Sequence, residues 1–389
     1  MKKKKLNKKL AAGAAAVVCA LLLLKAVLAP STVGKMGDVT ITDGVYKMAQ
    51  FQAYQTALNA ATEEQAAMNT GRFLEQSIPV DENGNPTAVN KDAKEEQPTV
   101  VVKQFVAEET ERILRDYAAV ESRFAALNGT LTAEQTAEAD EYVAQMWESY
   151  GALYYNNGIK LADIKAYEYN YYKAQQLLTL IYGTQGETPV GEQALTDCLA
   201  EQGLYGSYVL VPIYNTTSFA FADETQLTQM KEKAGAVVAD YTANRGSAAT
   251  GEQQRAVFKT ALQQGLAEVY GVLGNQYDAA AKLDADLSED LFLLAELEGS
   301  FTADDLAALK ALQPGEAAVV QYSYYGVMIF LRGDALEEKT LADWEPALLS
   351  YLKSEELNKA LEESAAGLEN GLKKFAMNCY APRSITLAY

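Results

Sequence analysis

Residues 309–334, LKALQPGEAAVVQYSYYGVMIFLRGD, constrain the fold of this chain more than any other stretch. They begin with the end of a helical pattern. Residues 313–316 (Gln-Pro-Gly-Glu) then predict a turn, because proline presets φ and glycine accepts a positive φ. Residues 318–322 and 327–331 are apolar runs typical of strands, and the short connection 323–326 ends in a glycine that suits a hairpin. We therefore predict a helix, a Pro-Gly turn and two antiparallel strands.

The composition is that of a folded protein with an acidic body. The 389 residues are enough for two domains, and 49% hydrophobic with 22% charged residues are ordinary values for globular proteins. The formal net charge is −19, and seven of the 33 basic residues lie among the first 29, so the rest of the chain carries 26 basic against 52 acidic side chains. Such a body repels phosphate backbones, and we predict no nucleic-acid partner.

The chain contains no histidine and three cysteines, Cys19, Cys198 and Cys379. The absence of histidine excludes Ser-His-Asp and Cys-His nucleophiles as well as imidazole metal ligands. The cysteines are too few and too scattered for a zinc site, so we predict no metal and no cofactor. Whether Cys198 and Cys379 pair in an oxidising compartment stays open.

Residues 1–29 have the pattern of an export segment. A lysine-rich stretch at 1–9 precedes the apolar run 10–24, and small residues follow Lys25. We predict an uncleaved membrane anchor with the lysines inside and the body outside the cytoplasm, since Lys25 can snorkel and extend the apolar length. A cleaved signal peptide is the alternative.

Helical periodicity dominates the chain on both sides of a short α/β stretch. Apolar side chains recur at spacings of three and four over most of residues 43–203, and residues 208–213 (Tyr-Val-Leu-Val-Pro-Ile) then read as a strand. We predict a mostly α-helical α+β fold: a helical domain at 30–203, an inserted α/β module at 204–336, and a helix within 337–389 that returns to the helical domain.

Several stretches, in this order, resemble the SurA-type and PrsA-type foldases. Residues 33–42 (VGKMGDVTIT) before a helix are similar to the opening of those proteins, and residues 182–195 (YGTQGETPVGEQAL) to the end of their helical domain. Residues 208–334 are similar to a parvulin-type peptidyl-prolyl isomerase domain. Three features carry this second resemblance: the first strand at 207–211, the helical stretch at 258–262 (Phe-Lys-Thr-Ala-Leu) and the closing hairpin.

The resemblance implies an extracytoplasmic chaperone that binds unfolded or newly exported polypeptides. The helical domain would form the cradle, because amphipathic helices that do not close a bundle leave a groove of Tyr, Phe, Met and Leu for varied apolar segments. Within the module, it implies peptide binding by four residues, for which core packing is the alternative role: Tyr208, Phe258, Tyr325 and Met328.

The sequence departs from active parvulins at the positions that carry catalysis. Active parvulins have a histidine in the first strand and another in the last hairpin, and aligning the strands places Tyr208 and Met328 there. We therefore predict that catalysis is lost and the module kept as a binding platform. An active isomerase is the first alternative, since the reaction needs only a desolvated, twisted C–N bond. An envelope assembly protein with one fixed partner is the second.

Two further clusters are interpreted structurally. Alternating acidic residues at 284–290 resemble a calcium loop, but Glu289 occupies the position of its glycine, so we predict a solvated helix start. The tyrosines at 167, 169, 171 and 172 could stack on a ligand such as a sugar, and we predict helix packing instead.

Overall fold

The computed structural model describes residues 30–88, 97–246, 248–323 and 325–387. They form two compact units: one comprises the chain up to Ile181 and again from Lys353 onward, and the other comprises Tyr182–Leu352. Both combine many helices with small antiparallel sheets, which confirms the predicted α+β, mostly helical fold. The predicted anchor at 1–29 lies outside the described residues. Within them, no helix has the combined length and apolar character needed to cross a bilayer.

The first unit is largely helical. Its elements, in order, are β1 (Thr32–Met36), β2 (Val39–Thr42), α1 (Asp43–Asn59), α2 (Glu63–Ala66), α3 (Thr70–Phe73), β3 (Ser77–Pro79), β4 (Thr99–Val101), α4 (Val102–Ala126), α5 (Ala133–Asn156) and α6 (Leu161–Tyr182). Its core lies between α1 and α4, where Phe51, Tyr54 and Leu114 are buried. The ring of Tyr54 meets that of Phe73 edge-on, with centroids 5.6 Å apart.

The second unit contains a four-stranded antiparallel sheet. Its elements are α7 (Glu192–Gln202), β5 (Gly203–Pro212), α8 (Glu224–Asn244), α9 (Gly251–Gly271), α10 (Ala279–Asp286), β6 (Ser288–Leu293), α11 (Ala303–Ala311), β7 (Ala317–Tyr322), β8 (Gly326–Arg332) and α12 (Ala335–Glu338). The strand order is β6-β5-β8-β7. Helices α8 and α9 cover one face through a core that includes Tyr241, Phe258 and Ile329. A smaller cluster with Leu309 and Phe330 covers the other.

The last segment returns the chain to the first unit. Helix α13 (Leu341–Gly367) begins in the second unit and ends in the first, and β9 (Asn370–Leu372), α14 (Lys374–Cys379) and a 3₁₀ turn at Pro382–Ser384 follow. Strand β9 pairs with β1, which completes the three-stranded sheet β2-β1-β9. Gly34 has a φ of +146° and lies opposite Leu372, and a Cβ there would collide with the carbonyl oxygen of Gly371. Glycine is therefore required where the two ends of the chain pair.

One sequence-based interpretation was wrong. The acidic run at 284–290 is no helix start: its first residues end α10, and its last residues belong to β6, where Asp290 lies opposite Gly206 of β5. Charged side chains on an edge strand discourage pairing with other chains, which explains the composition. Cys198 and Cys379 are free thiols in the described residues.

Candidate functional site

The predicted site residues Tyr208 and Met328 lie on one face of the module's sheet. In the β5–β8 ladder, Tyr208 is opposite Phe330 and Leu210 is opposite Met328. Because side chains alternate between the two faces of a sheet, Tyr208 lies on the same face as Leu210, and therefore on the same face as Met328. Met328 is only 3% exposed and packs with Val320 and Phe330. Its side chain is part of the core.

Tyr208 is partly exposed on that face and is held by its neighbours. Its ring centroid lies 5.3 Å from that of Phe292, and its hydroxyl donates a hydrogen bond of 2.8 Å to the Asp290 carboxylate. Burial, followed by the adjacent carboxylate, raises the pKa of Tyr208 to about 12. The phenol is therefore neutral at physiological pH and available as a polar, aromatic contact.

Phe258 and Tyr325 lie apart from this pair. Phe258 is fully buried on the opposite face of the sheet, where its ring meets Tyr241 edge-on with centroids 5.6 Å apart. Tyr325 is 66% exposed in the β7–β8 connection, and its ring centroid lies 5.6 Å from that of Tyr322. The structure thus brings together two of the four residues. Peptide binding by this set stays a prediction.

The helical unit contains an open groove, which we name the tyrosine groove. It has a volume of about 640 Å³ and lies among α1, α4, α5 and α6. Its lining consists of five tyrosines with aliphatic and polar neighbours: Tyr117, Tyr142, Tyr167, Tyr171, Tyr172, Gln52, Arg112, Ile113, Asp116, Val120, Glu168, Asn170 and Ala174.

Packing between helices fixes the floor of the groove. The rings of Tyr117 and Tyr167 stack with centroids 5.9 Å apart, and the Tyr167 hydroxyl donates to the Gln52 side-chain oxygen at 2.9 Å. The Asn170 amide donates to the Tyr117 carbonyl at 3.0 Å. Burial raises the pKa of Tyr117 and of Tyr167 well above the ordinary value for tyrosine, so both remain uncharged. The floor is therefore aromatic and uncharged, and contacts between three helices hold it in place.

The rim is open. Tyr142 on α5 and Tyr171 on α6 are 47% and 57% exposed. Tyrosine offers a large contact area with few torsions to order and a hydroxyl that accepts or donates, which suits binding of varied polypeptide segments. The prediction that the 167–172 tyrosines serve helix packing therefore holds for Tyr167 and fails for Tyr171. Tyr167 and Tyr171 are one helical turn apart in the sequence, and this spacing indicated that they lie on the same side of α6.

The charges of the groove belong mainly to two helices. Arg112 donates to the Glu109 carboxylate at 2.8 Å and to the Asp116 carboxylate at 2.7 Å. Glu168, on α6, is partly buried and makes no hydrogen bond or ion pair with the described residues, and burial raises its pKa. In the described part of the chain, no group of three or more acidic, cysteine or histidine side chains is placed to hold a metal ion.

Comparison with known proteins finds a structural likeness among solved structures. No family model matches the chain, and no curated protein matches it. The crystal structure of foldase protein PrsA from Streptococcus pneumoniae is similar over 74% of this chain and 97% of that chain, with 13% identity and a TM-score of 0.33. A TM-score this low does not establish a shared fold.

Proposed function

We propose that this chain is a polypeptide-binding chaperone of the foldase type, which holds unfolded or newly exported segments in the tyrosine groove. The observation that carries the proposal is the open groove itself, since two of its five tyrosines are half-exposed while Tyr117 and Tyr167 form a stacked aromatic floor. Exposed apolar surface of this kind on a soluble unit marks an interaction site. The acidic body keeps such a protein dispersed and disfavours nucleic acid as its partner.

The proposal includes the placement of the chain. The basic and apolar pattern of residues 1–29 supports an uncleaved anchor in the cell membrane, with the body outside the cytoplasm. The full chain should then stay in the membrane pellet after an alkaline carbonate wash. Release into the supernatant in a shortened form would favour the cleaved signal peptide.

We also propose that the module at 204–336 acts as a binding platform or scaffold and does not catalyse prolyl isomerisation. Two observations support it. The chain contains no histidine, and Met328, which aligns with a catalytic histidine of active parvulins, is a buried core side chain. In a proline-peptide isomerisation assay we expect the spontaneous rate only. An accelerated rate that Tyr208→Phe abolishes would establish the isomerase alternative.

Aggregation of an unfolded client tests the groove. We expect the full-length protein to suppress aggregation at near-stoichiometric amounts, and Tyr142→Ser combined with Tyr171→Ser to raise the amount required about fivefold, since each lost ring removes apolar contact. Tyr155→Ser is the matched control, because Tyr155 is 73% exposed on α5 and does not line the groove. Absence of suppression at any ratio would refute the proposal. Capture of a single stoichiometric partner in place of many clients would favour the assembly-protein alternative.

A further inference from the structure

The charges around the tyrosine groove are unbalanced. Arg112 is its one lining cation among the described residues, and two carboxylates, Glu109 and Asp116, already share its guanidinium. Glu168 adds a second lining carboxylate and has no cation beside it in the described part of the chain. The groove therefore carries an excess of negative charge over an aromatic floor.

The cations closest along α6 are already engaged. Lys165 forms an ion pair of 2.6 Å with Asp140, and Lys173 forms one of 2.7 Å with Glu121. Glu168 lies between them in sequence and shares its side of the helix with Tyr172, whose pKa is raised by burial and then by nearby carboxylates. A partly desolvated carboxylate is costly without a cation, so a ligand that supplies one gains from it.

The same unit shows how such a cation is held. The Lys165 ammonium contacts Asp140 and lies 5.0 Å from the ring centroid of Tyr169, whose hydroxyl donates to the same carboxylate at 3.0 Å. Carboxylate and tyrosine face together form a lysine site. In the groove, Glu168 and Tyr172 are one helical turn apart on α6, so a carboxylate and a tyrosine are again neighbours on one side of a helix.

We infer that the tyrosine groove takes extended polypeptide segments in which a lysine or arginine lies beside an aromatic or aliphatic residue. The apolar side chain would lie on the stacked floor of Tyr117 and Tyr167, and the cation would meet Glu168 at the rim. The acidic body adds long-range attraction for the same segments. This inference rests on the proposed function and names its substrate class.

Three labelled peptides test the inference by fluorescence anisotropy with the full-length protein. One alternates leucine and tyrosine with lysine, and the other two carry glutamate or glutamine in place of each lysine. We expect the lysine peptide to bind about tenfold more tightly than the glutamate peptide at low salt, and the difference to shrink as salt screens the pair. Equal affinities for the three peptides would overturn the inference.

A matched pair of charge-neutralising variants locates the effect. Glu168→Gln should weaken binding of the lysine peptide about fivefold and leave the glutamine peptide unchanged. Glu148→Gln removes the same charge from an exposed position of α5 outside the groove, and we expect no change. Equal losses in both variants would show a general effect of net charge and would also overturn the inference.

Failure of the inference and failure of the proposed function give different results. If the glutamine peptide binds and aggregation is suppressed while the lysine preference is missing, only the substrate class is wrong. If no peptide binds and aggregation proceeds unchanged, the proposed function itself is wrong.

Discussion

Arg115 on α4 links two stretches of the chain that are far apart in sequence. Its guanidinium donates to the carbonyl oxygens of Ala365, at 3.3 Å, and Leu368, and it pairs with Glu111 at 2.9 Å. The last carbonyls of a helix have no partner within the helix, so a cation at the end of α13 satisfies them. Replacement by methionine removes the donors and keeps an unbranched side chain of similar length. The perturbation is therefore Arg115→Met.

The size of the effect follows from the partners. A hydrogen bond from a charged group to a carbonyl contributes about 1.5–3 kcal/mol. The side chain of Glu111 is 41% exposed, so its ion pair with Arg115 adds only about 0.3–0.5 kcal/mol. We expect Arg115→Met to lower the unfolding free energy of the first unit by about 2–3 kcal/mol. Arg115→Lys should cost roughly half as much, since an ammonium keeps the charge but not the planar fork.

The two tryptophans allow the unfolding free energy to be measured for each unit separately. Trp147 belongs to the first unit and Trp344 to the second, so urea unfolding in a Trp344→Phe background follows the first unit alone. Arg112→Met is the control, because Arg112 forms its ion pairs with Glu109 and Asp116 of its own helix, and the change should shift stability by less than about 0.5 kcal/mol. If Arg115→Met and Arg112→Met have the same midpoint, Arg115 does not secure the returning segment.

Three further predictions concern the second unit, followed by fluorescence in a Trp147→Phe background. Phe258→Ala should lower its unfolding free energy by about 3–5 kcal/mol because the ring is fully buried, whereas Tyr325→Ala should change it by less than about 0.5 kcal/mol. The pKa of Tyr208 rises from 10.0 in the unfolded chain to about 12 in the fold. Its neutral form therefore contributes stability that is complete below pH 10 and is lost as the pH rises toward 12. Tyr208→Phe should flatten that part of the plot of unfolding free energy against pH. Asn275→Ala should cost about 2 kcal/mol, since its buried side chain makes three hydrogen bonds to the loop after β5, and an unchanged urea midpoint would contradict this.

Local signals in the sequence were enough to predict several elements. Thr132 and Gln135, in the Thr-x-x-Gln pattern of a capping box, form that box at the start of α5 with hydrogen bonds of 3.0 and 3.1 Å, and Gly158 lies in the turn after this helix with a φ of +69°. The predicted hairpin is present as β7 and β8, with Tyr322 opposite Gly326. In each case the determining contacts lie within a few residues, so periodicity, capping and turn chemistry contain the information.

Elements whose stability comes from distant partners could not be predicted in this way. Strand β9 has three residues, and its ladder partner β1 lies more than 300 positions away in the sequence. Strand β6 has an acidic start that resembles the start of a helix, and it is a strand because β5 offers it a free edge. Short strands of this kind have little propensity of their own, and tertiary pairing decides them.

The same limit applies to the candidate site. Sequence spacing shows that Tyr167 and Tyr171 share a stripe of α6, but it does not show where α4 and α5 stop covering that stripe. The contacts decide: Tyr167 stacks on Tyr117, whereas Tyr171 remains 57% exposed. The sequence also does not show which cation pairs with which carboxylate, because the tertiary fold brings them together. That Glu168 is partly buried becomes clear only from the structure.

The two candidate surfaces differ in what their side chains are free to do. In the module, Phe258 and Met328 bury nearly all of their area within the protein, so the apolar free energy of those side chains already stabilises the fold. In the groove, Tyr142 and Tyr171 keep about half of their area in water, and that area is still available to a ligand. Binding free energy from apolar contact can come only from surface that the folded protein has left exposed. If polypeptide segments bind as proposed, their affinity should therefore depend on the tyrosine groove, and within the module on Tyr208 and Tyr325 rather than on the residues that fill its core.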